Sequence, residues 1–183
     1  RRGLSGAECL AGIPGTVGGA LVINAGGRHG RIGPLVRRVH VFEDGSPREI
    51  AGDEIAFSYR YSSLAGGVVT AAELECRPFP AEAVTATTRN LLLEKRRSQP
   101  LSAASAGCVF KNPPEGPAAG ALVEEAGLKG AWVGGAKVSE MHANYIVNTG
   151  GATAADVKHL IEQVREAISV KFGVELELEI DLW

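Results

Sequence analysis

The rhythm of apolar and polar positions changes several times along the 183 residues, and each change marks an element. The clearest stretch lies near the end. Val157, Leu160, Ile161, Val164 and Ile168 recur at i, i+3, i+4, i+7 and i+11, one apolar stripe of a helix. Thr153 stands as its N-cap with Asp156 three residues on, a capping-box variant, and Gly173 closes it. From Val174 to Leu182 the rhythm drops to two. That alternation predicts a half-buried strand with Glu175, Glu177, Glu179 and Asp181 on one face. Val36 to Phe42 is β-branched and runs into Glu43-Asp44-Gly45-Ser46, a strand and a tight turn. Gly67 to Cys76 predicts another strand, stopped by Pro78 and Pro80. Residues 82–97 have helical composition and end in a basic run before Gln99-Pro100. After the prolines at 113, 114 and 117, a short helix over 118–126 stops at Gly127. Residues 1–35 hold no sustained period apart from Ala20-Leu21-Val22-Ile23. Strands and helices mix without regular alternation, which predicts an α+β fold with a soft boundary near residues 97–100.

Composition removes several classes. The 19 basic residues nearly balance the 21 acidic ones, which argues against an electrostatic nucleic-acid binder. No apolar stretch approaches the roughly 20 residues of a membrane span, and the start lacks the apolar core of a secretory signal. Cys9, Cys76 and Cys108 are odd in number, far apart and in no CxxC pair. A disulfide framework and a thiolate metal site are therefore not expected, and the reading is a soluble, cytoplasmic protein. The 24 glycines fall in clusters with no fixed period, so this is not a repeat array.

Five segments can carry chemistry. In Gly12-Ile13-Pro14-Gly15-Thr16-Val17-Gly18-Gly19 the glycines let successive N–H groups face one anion, and Thr16 adds a hydroxyl. The same run serves equally as a tight turn in a packed sheet. It is neither a P-loop nor the GxGxxG fingerprint. Arg60 lies between Tyr59 and Tyr61, placed either to clamp a carboxylate or to stack on the rings at the surface. Cys108 follows small residues and precedes Lys111-Asn112. With a reference pKa of about 8.5, a thiol stays protonated at neutral pH and can deliver a proton; an inert buried cysteine is the plainer reading. Lys137 and His142 can line a polyanion pocket, although a lone histidine more often serves local hydrogen bonding. By pattern alone, Glu179 is one of four acids on a solvated face.

Taken together, these segments resemble the UDP-N-acetylenolpyruvoylglucosamine reductases, the MurB family. The resemblance is carried by Gly3 to Glu8, Ala11-Gly12-Ile13-Pro14-Gly15-Thr16-Val17-Gly18-Gly19-Ala20 and Asn24-Ala25-Gly26. It continues through Phe57 to Arg60, Ser105 to Pro113, Val138 to Glu140 with His142-Ala143, and Phe172 to Glu179, in family order. It implies an FAD enzyme of peptidoglycan-precursor synthesis. NADPH reduces the flavin, which reduces the enolpyruvyl ether of a UDP-N-acetylglucosamine to UDP-N-acetylmuramate. Cys108 then stands where the family gives a proton from Ser or Cys, and Arg60 and Glu179 where charge building on the substrate carboxylate is steadied. The resemblance implies FAD contacts at Gly12, Ile13, Pro14, Gly15, Thr16, Gly18, Gly19, Asn24 and Ala25. It implies substrate contacts at Tyr59, Lys111, Asn112 and His142. The implied architecture is the second lobe of a two-lobed, PCMH-like FAD-binding domain over 1–97. A smaller α+β substrate-binding domain follows over 98–183, its last strand, with Glu179, placed to return to the first. Family members carry a further N-terminal lobe with its own FAD motif, so a piece lacking about 80 residues is expected, within the usual size of a cofactor domain. His142 and the lack of a long tyrosine-bearing insertion between Tyr61 and Ser98 point to the shorter subgroup. The rival reading is a non-catalytic remnant that binds UDP-sugar but not FAD. Another flavin oxidase of the same superfamily is a weaker third, since it would not need the Cys108–Asn112 segment.

Overall fold

The computed structural model describes residues 3–182, and the chain divides into two compact units, Arg1–Lys95 and Arg96–Trp183. Each is described by itself.

In the first unit Thr16 caps a six-residue helix, α1 (Val17–Val22), its hydroxyl accepting from the Gly19 N–H at 3.0 Å. Sequence periodicity shows only the apolar half of this helix, because two glycines weaken its propensity by about 1 kcal/mol each. Packing supplies what propensity lacks. Leu21 is fully buried, and a side chain at Gly18 would come within 3.3 Å of Val69. A three-stranded antiparallel sheet follows: β1 (Val36–Glu43), β2 (Ser46–Ala51) and β3 (Val68–Leu74), with β1 central. Asp44 and Gly45 both have positive φ, 49° and 78°, which suits a two-residue hairpin between right-twisted strands. Val36, Val39 and Val41 are buried. The three-residue step from Val36 to Val39 is allowed by a register shift against β3 between Val36 and Arg38. The core gathers Leu21, Ile32, Val36, Val39, Val41, Ile55 and Leu64. Then comes α2 (Ala81–Ser98), one residue longer at each end than the composition indicates; the division between the units falls inside it.

The second unit opens with β4 (Ala104–Cys108), a stretch to which the sequence pattern assigns no element. The helix α3 (Ala119–Glu125) follows, closed by Gly127 at φ 76°. The strands β5 (Trp132–Val133), β6 (Ala136–Val138) and β7 (Tyr145–Asn148) complete an antiparallel sheet of order β4-β7-β6-β5. The long helix α4 (Ala154–Phe172) keeps the capping box the sequence shows: Asp156 N–H to Thr153 Oγ1 at 3.1 Å, and Thr153 N–H to Asp156 Oδ2 at 2.8 Å. The Thr153 N–H holds the Asp156 carboxyl below its usual range. Leu160, Ile161, Val164 and Ile168 are buried as the stripe predicts, against Phe110, Val123, Val138 and Leu176.

The tail is a correction. Residues 174–182 do not form the predicted strand; only Leu178 pairs, antiparallel with Phe110. Two hydrogen bonds flank the bridge, Lys111 N–H to Glu177 O and Glu179 N–H to Val109 O, both 2.8 Å. The partner run then reaches Pro113, which has no N–H to extend a ladder. Nor do the four acids share one environment: Glu175, Glu177 and Asp181 are exposed, whereas Glu179 is half-buried.

Candidate functional site

The first unit assembles one group of the candidate residues. Past α1, Asn24 adopts φ 45° and is buried. Its Nδ2 donates to Ser58 O at 2.8 Å and its Oδ1 accepts from Gly33 N–H at 3.0 Å. That links the turn after α1 to the short pairing of Phe57–Ser58 with Tyr61–Ser62. Arg60 sits at the tip of this pairing with φ 55°. Its Nη1 donates to Gly26 O at 2.9 Å, and its guanidinium lies 5.3 Å from the Tyr59 ring centre. Buried Ser62 donates to Val22 O at 2.9 Å. Of the two sequence readings of Arg60 the ring contact is present, and its fork is in addition tied to the Gly26 carbonyl. Ala25 is buried there, its N–H on Ala20 O at 2.7 Å. Gly26 is required sterically, since a side chain would strike Gly30 O at 2.3 Å.

Gly12, Pro14, Gly15, Thr16 and Gly19 form an exposed edge of the same unit, with Ile13 and Gly18 half-buried. Gly12 faces Leu92 of α2, 2.8 Å from where a side chain would start, whereas at Gly15 (φ 109°) nothing lies within 4 Å. The Thr16 hydroxyl is already engaged as a cap. The loop is therefore partly the tight turn of the bland reading, with an open face at Gly15.

The second unit assembles the other group. Cys108 ends β4 opposite Tyr145, after a register shift between Ser105 and Cys108 and with Gly107 at φ 92°. The bridge at Phe110 lays Glu179 against Val109, so Glu179 lies one residue out of register with Cys108. Lys111 Nζ meets Glu177 at 3.4 Å at the surface, and Asn112 Oδ1 accepts from Ala119 N–H at 3.1 Å, at the start of α3. The His142 Nδ1 accepts from Asn144 N–H at 3.3 Å, which leaves Nε2 to carry the proton in the neutral ring. That ring stands edge-on to Tyr145, 5.0 Å between centres at 67°, and its Cε1 would be 3.3 Å from a side chain at Gly120. Burial, and then the charge of Lys129, hold the imidazole below its usual pKa. Lys137 pairs instead with Glu140 at 2.5 Å.

Two further residues, to which the sequence pattern assigns no role, belong to this group. Tyr145 faces Cys108 across the strands, and Asn144 is buried with its amide on Phe110. The only signal for either was adjacency to His142. Cys9 and Cys76 are both partly buried, and none of the three cysteines is in a disulfide; burial pushes the Cys9 thiol up. Among the described residues no three His, Cys, Asp or Glu gather as a metal site, and no helix is long and apolar enough to cross a membrane.

The family profile of the C-terminal domain of UDP-N-acetylenolpyruvoylglucosamine reductase matches residues 99–183, the segment holding Cys108 and Glu179. The UDP-N-acetylenolpyruvoylglucosamine reductase of Moorella thermoacetica is 50% identical over all of this chain. The chain is a MurB homologue. The corresponding reductase of Alkalilimnicola ehrlichii is 47% identical, again over the whole chain. The crystal structure of UDP-N-acetylenolpyruvylglucosamine reductase (MurB) from Thermus caldophilus superposes with a TM-score of 0.89 at 43% identity. The match covers 99% of this chain and 65% of that one. The chain spans 61% of the length of the two curated relatives. Its α+β fold is that of part of the MurB structure.

Proposed function

We propose that the chain carries the substrate-reducing chemistry of a UDP-N-acetylenolpyruvoylglucosamine reductase. The enolpyruvyl ether of UDP-N-acetylglucosamine is reduced to the lactyl ether of UDP-N-acetylmuramate, with NADPH as the source of electrons. The observation that supports this reading is the pairing of Phe110 with Leu178, which lays Glu179 against Val109, the residue after Cys108. The domain assignment belongs to the same proposal: an FAD lobe over 1–97 and a substrate domain over 98–183.

Gly12, Ile13, Pro14, Gly15, Thr16, Gly18, Gly19, Asn24 and Ala25 would hold FAD. The fit is supported by the open face at Gly15 and the exposure of the loop around it. FAD held there would supply the hydride chemistry that links NADPH to the enol ether. The remaining work falls to side chains. Arg60, its guanidinium oriented by Gly26 O and Tyr59, binds the substrate carboxylate as negative charge builds on it. Glu179 would steady charge building on the substrate. Cys108 Sγ gives its proton to the carbon bearing the carboxylate, and the resulting thiolate recovers a proton from solvent. The S–H bond breaks as the C–H bond forms, so hydride and proton together account for the saturated product. Lys111 would release Glu177, an exposed pair worth little, to meet the diphosphate. Tyr59, Asn112 and the Nε2–H of His142 would take the remaining polar groups of the UDP-sugar.

Flavin absorbance and stopped-flow reoxidation test this. Near-stoichiometric flavin, and reoxidation of the pre-reduced protein by the enolpyruvyl UDP-sugar, are expected. A colourless protein that still binds the UDP-sugar by calorimetry would replace the enzyme with a binding module.

A further inference from the structure

We propose that Asn144 is a positioning residue for this chemistry: its side-chain amide sets the path of Cys108–Phe110, and through that path the placement of Cys108 and Glu179. The inference rests on the reaction proposed above.

Beyond Cys108 the strand loses its regular partner. A ladder continuing from Tyr145 would pair Phe110 with the backbone around 142–143, but that chain is turned, with the Ser139 hydroxyl accepting from the N–H groups of Met141 and His142. The Asn144 side chain takes the vacated role. Its Oδ1 accepts from Phe110 N–H at 2.9 Å and its Nδ2 donates to Phe110 O at 2.8 Å. An amide is the one side-chain group that presents a neutral donor and acceptor side by side as a peptide does. The backbone of Asn144 adds two more bonds. Its carbonyl accepts from Val109 N–H at 2.8 Å, and its N–H donates to His142 Nδ1. The opposite edge of the run 109–111 is held by the tail, Glu179 N–H on Val109 O and Lys111 N–H on Glu177 O. Cys108 and Glu179 are thus tied to each other through one peptide strand, and Asn144 holds that strand from the other side.

Asn144 is only 4% exposed, so neither half of its amide can exchange its partner for water at low cost. The same residue fixes the tautomer of His142. Two groups assigned to the reaction, Cys108 and Glu179, therefore depend on one buried amide, while the backbone N–H of the same residue holds His142. A purely structural amide would affect stability alone. A positioning amide also alters the environment of the thiol and the proton-transfer step.

The test uses Asn144→Ala and Asn144→Asp in the flavin-loaded protein, with Cys9 and Cys76 replaced by serine so that alkylation reports Cys108. In Asn144→Ala, the alkylation rate as a function of pH should depart from that of the parent, and hydrogen exchange at Phe110 N–H should accelerate. Reoxidation by the enolpyruvyl UDP-sugar should slow about tenfold or more, with flavin reduction by NADPH unchanged. Asn144→Asp keeps the volume and stays testable if the alanine variant does not fold. At neutral pH its carboxylate has no donor for Phe110 O. As pH falls and it takes a proton, exchange and alkylation should return toward the parent. A parental alkylation profile and parental exchange in both variants would overturn the inference, as would a reoxidation rate that falls only with the folded fraction. If Cys108→Ala reoxidises at the parental rate, the reaction reading fails instead. If that variant is slow while Asn144→Ala is not, only the role of Asn144 fails.

Discussion

The two units solve the same problem at similar length by different means. Among the described residues of the second, Arg96–Trp183, fourteen buried apolar residues form one cluster between its sheet and its helices. Among those of the first, Arg1–Lys95, the cluster holds seven, while Val17, Ile23, Phe42, Val68 and Phe79 stay about half exposed or more. What the first unit lacks in layered side chains it replaces with polar staples from side chain to backbone: Asn24 on Ser58 and Gly33, Ser62 on Val22, Arg60 on Gly26. Each staple stabilises by roughly 1 kcal/mol net, against about 1.5–3 kcal/mol for a fully buried Leu or Val. The first unit therefore holds open glycine backbone in a defined path with a small core, and the second holds a strand and a tail against a large one. On the proposed function, this division separates the loop that would hold the cofactor from the thiol that would give the proton.

Core truncation should show the contrast most strongly. Leu160→Ala in the second unit should cost about 2–5 kcal/mol, near the upper end of that range, and Leu21→Ala in the first should fall near the lower end. Denaturant unfolding measures both, and equal losses would remove the contrast. The next largest effect is chemical. Cys108→Ala should slow reoxidation by the enolpyruvyl UDP-sugar about 100-fold or more while flavin reduction stays near the parental rate. Cys108→Ser should retain much of the activity, since a hydroxyl can carry the same proton. A Cys108→Ala protein that reoxidises normally in stopped flow would return this cysteine to the inert-core reading.

Smaller effects belong to the glycine edge. Gly15→Ala meets no neighbouring atom, so its stability loss should be only the strain of φ 109°, about 1–3 kcal/mol. Flavin content should fall by more than that loss explains, because the open face is where the cofactor is proposed to lie. Gly26→Ala adds a backbone clash, and unfolding and flavin loss should track each other there. Full flavin occupancy in Gly15→Ala would leave this loop a turn and nothing more. The smallest effect is a pH dependence. Burial lowers the His142 pKa in the folded chain, so the unfolded chain binds the proton first as pH falls. The stability given by neutral His142 is fully present above its unfolded pKa of about 6.5. It declines as pH drops below that value, and it stops declining below the folded pKa. His142→Gln should flatten this part of a stability–pH profile; an unchanged slope would show that other groups set it.

Some of this arrangement was plain in the order of residues. The stripe from Val157 to Ile168, the Thr153–Asp156 box and Gly173 define α4 without tertiary help, because helix period and caps involve only neighbours within four residues. The Asp44-Gly45 turn is likewise local. The family motifs singled out Cys108, Arg60 and Glu179 for the same reason: they are short runs of adjacent residues.

Other features depend on partners distant in sequence, and no local pattern reports them. Alternation over 174–182 reads as a strand with an acidic face, yet a strand exists only where another edge accepts its hydrogen bonds, and here that edge is the short run 109–111. The same pairing takes Glu179 out of the solvated set and lays it against Val109. Helix α1 carries glycines that propensity disfavours and forms because Leu21 is buried and Gly18 can approach Val69. Asn144 looks in sequence like any polar residue near a turn. Its work at Phe110, 34 residues away, follows from the fact that a buried peptide group must find a partner once its strand neighbour turns aside.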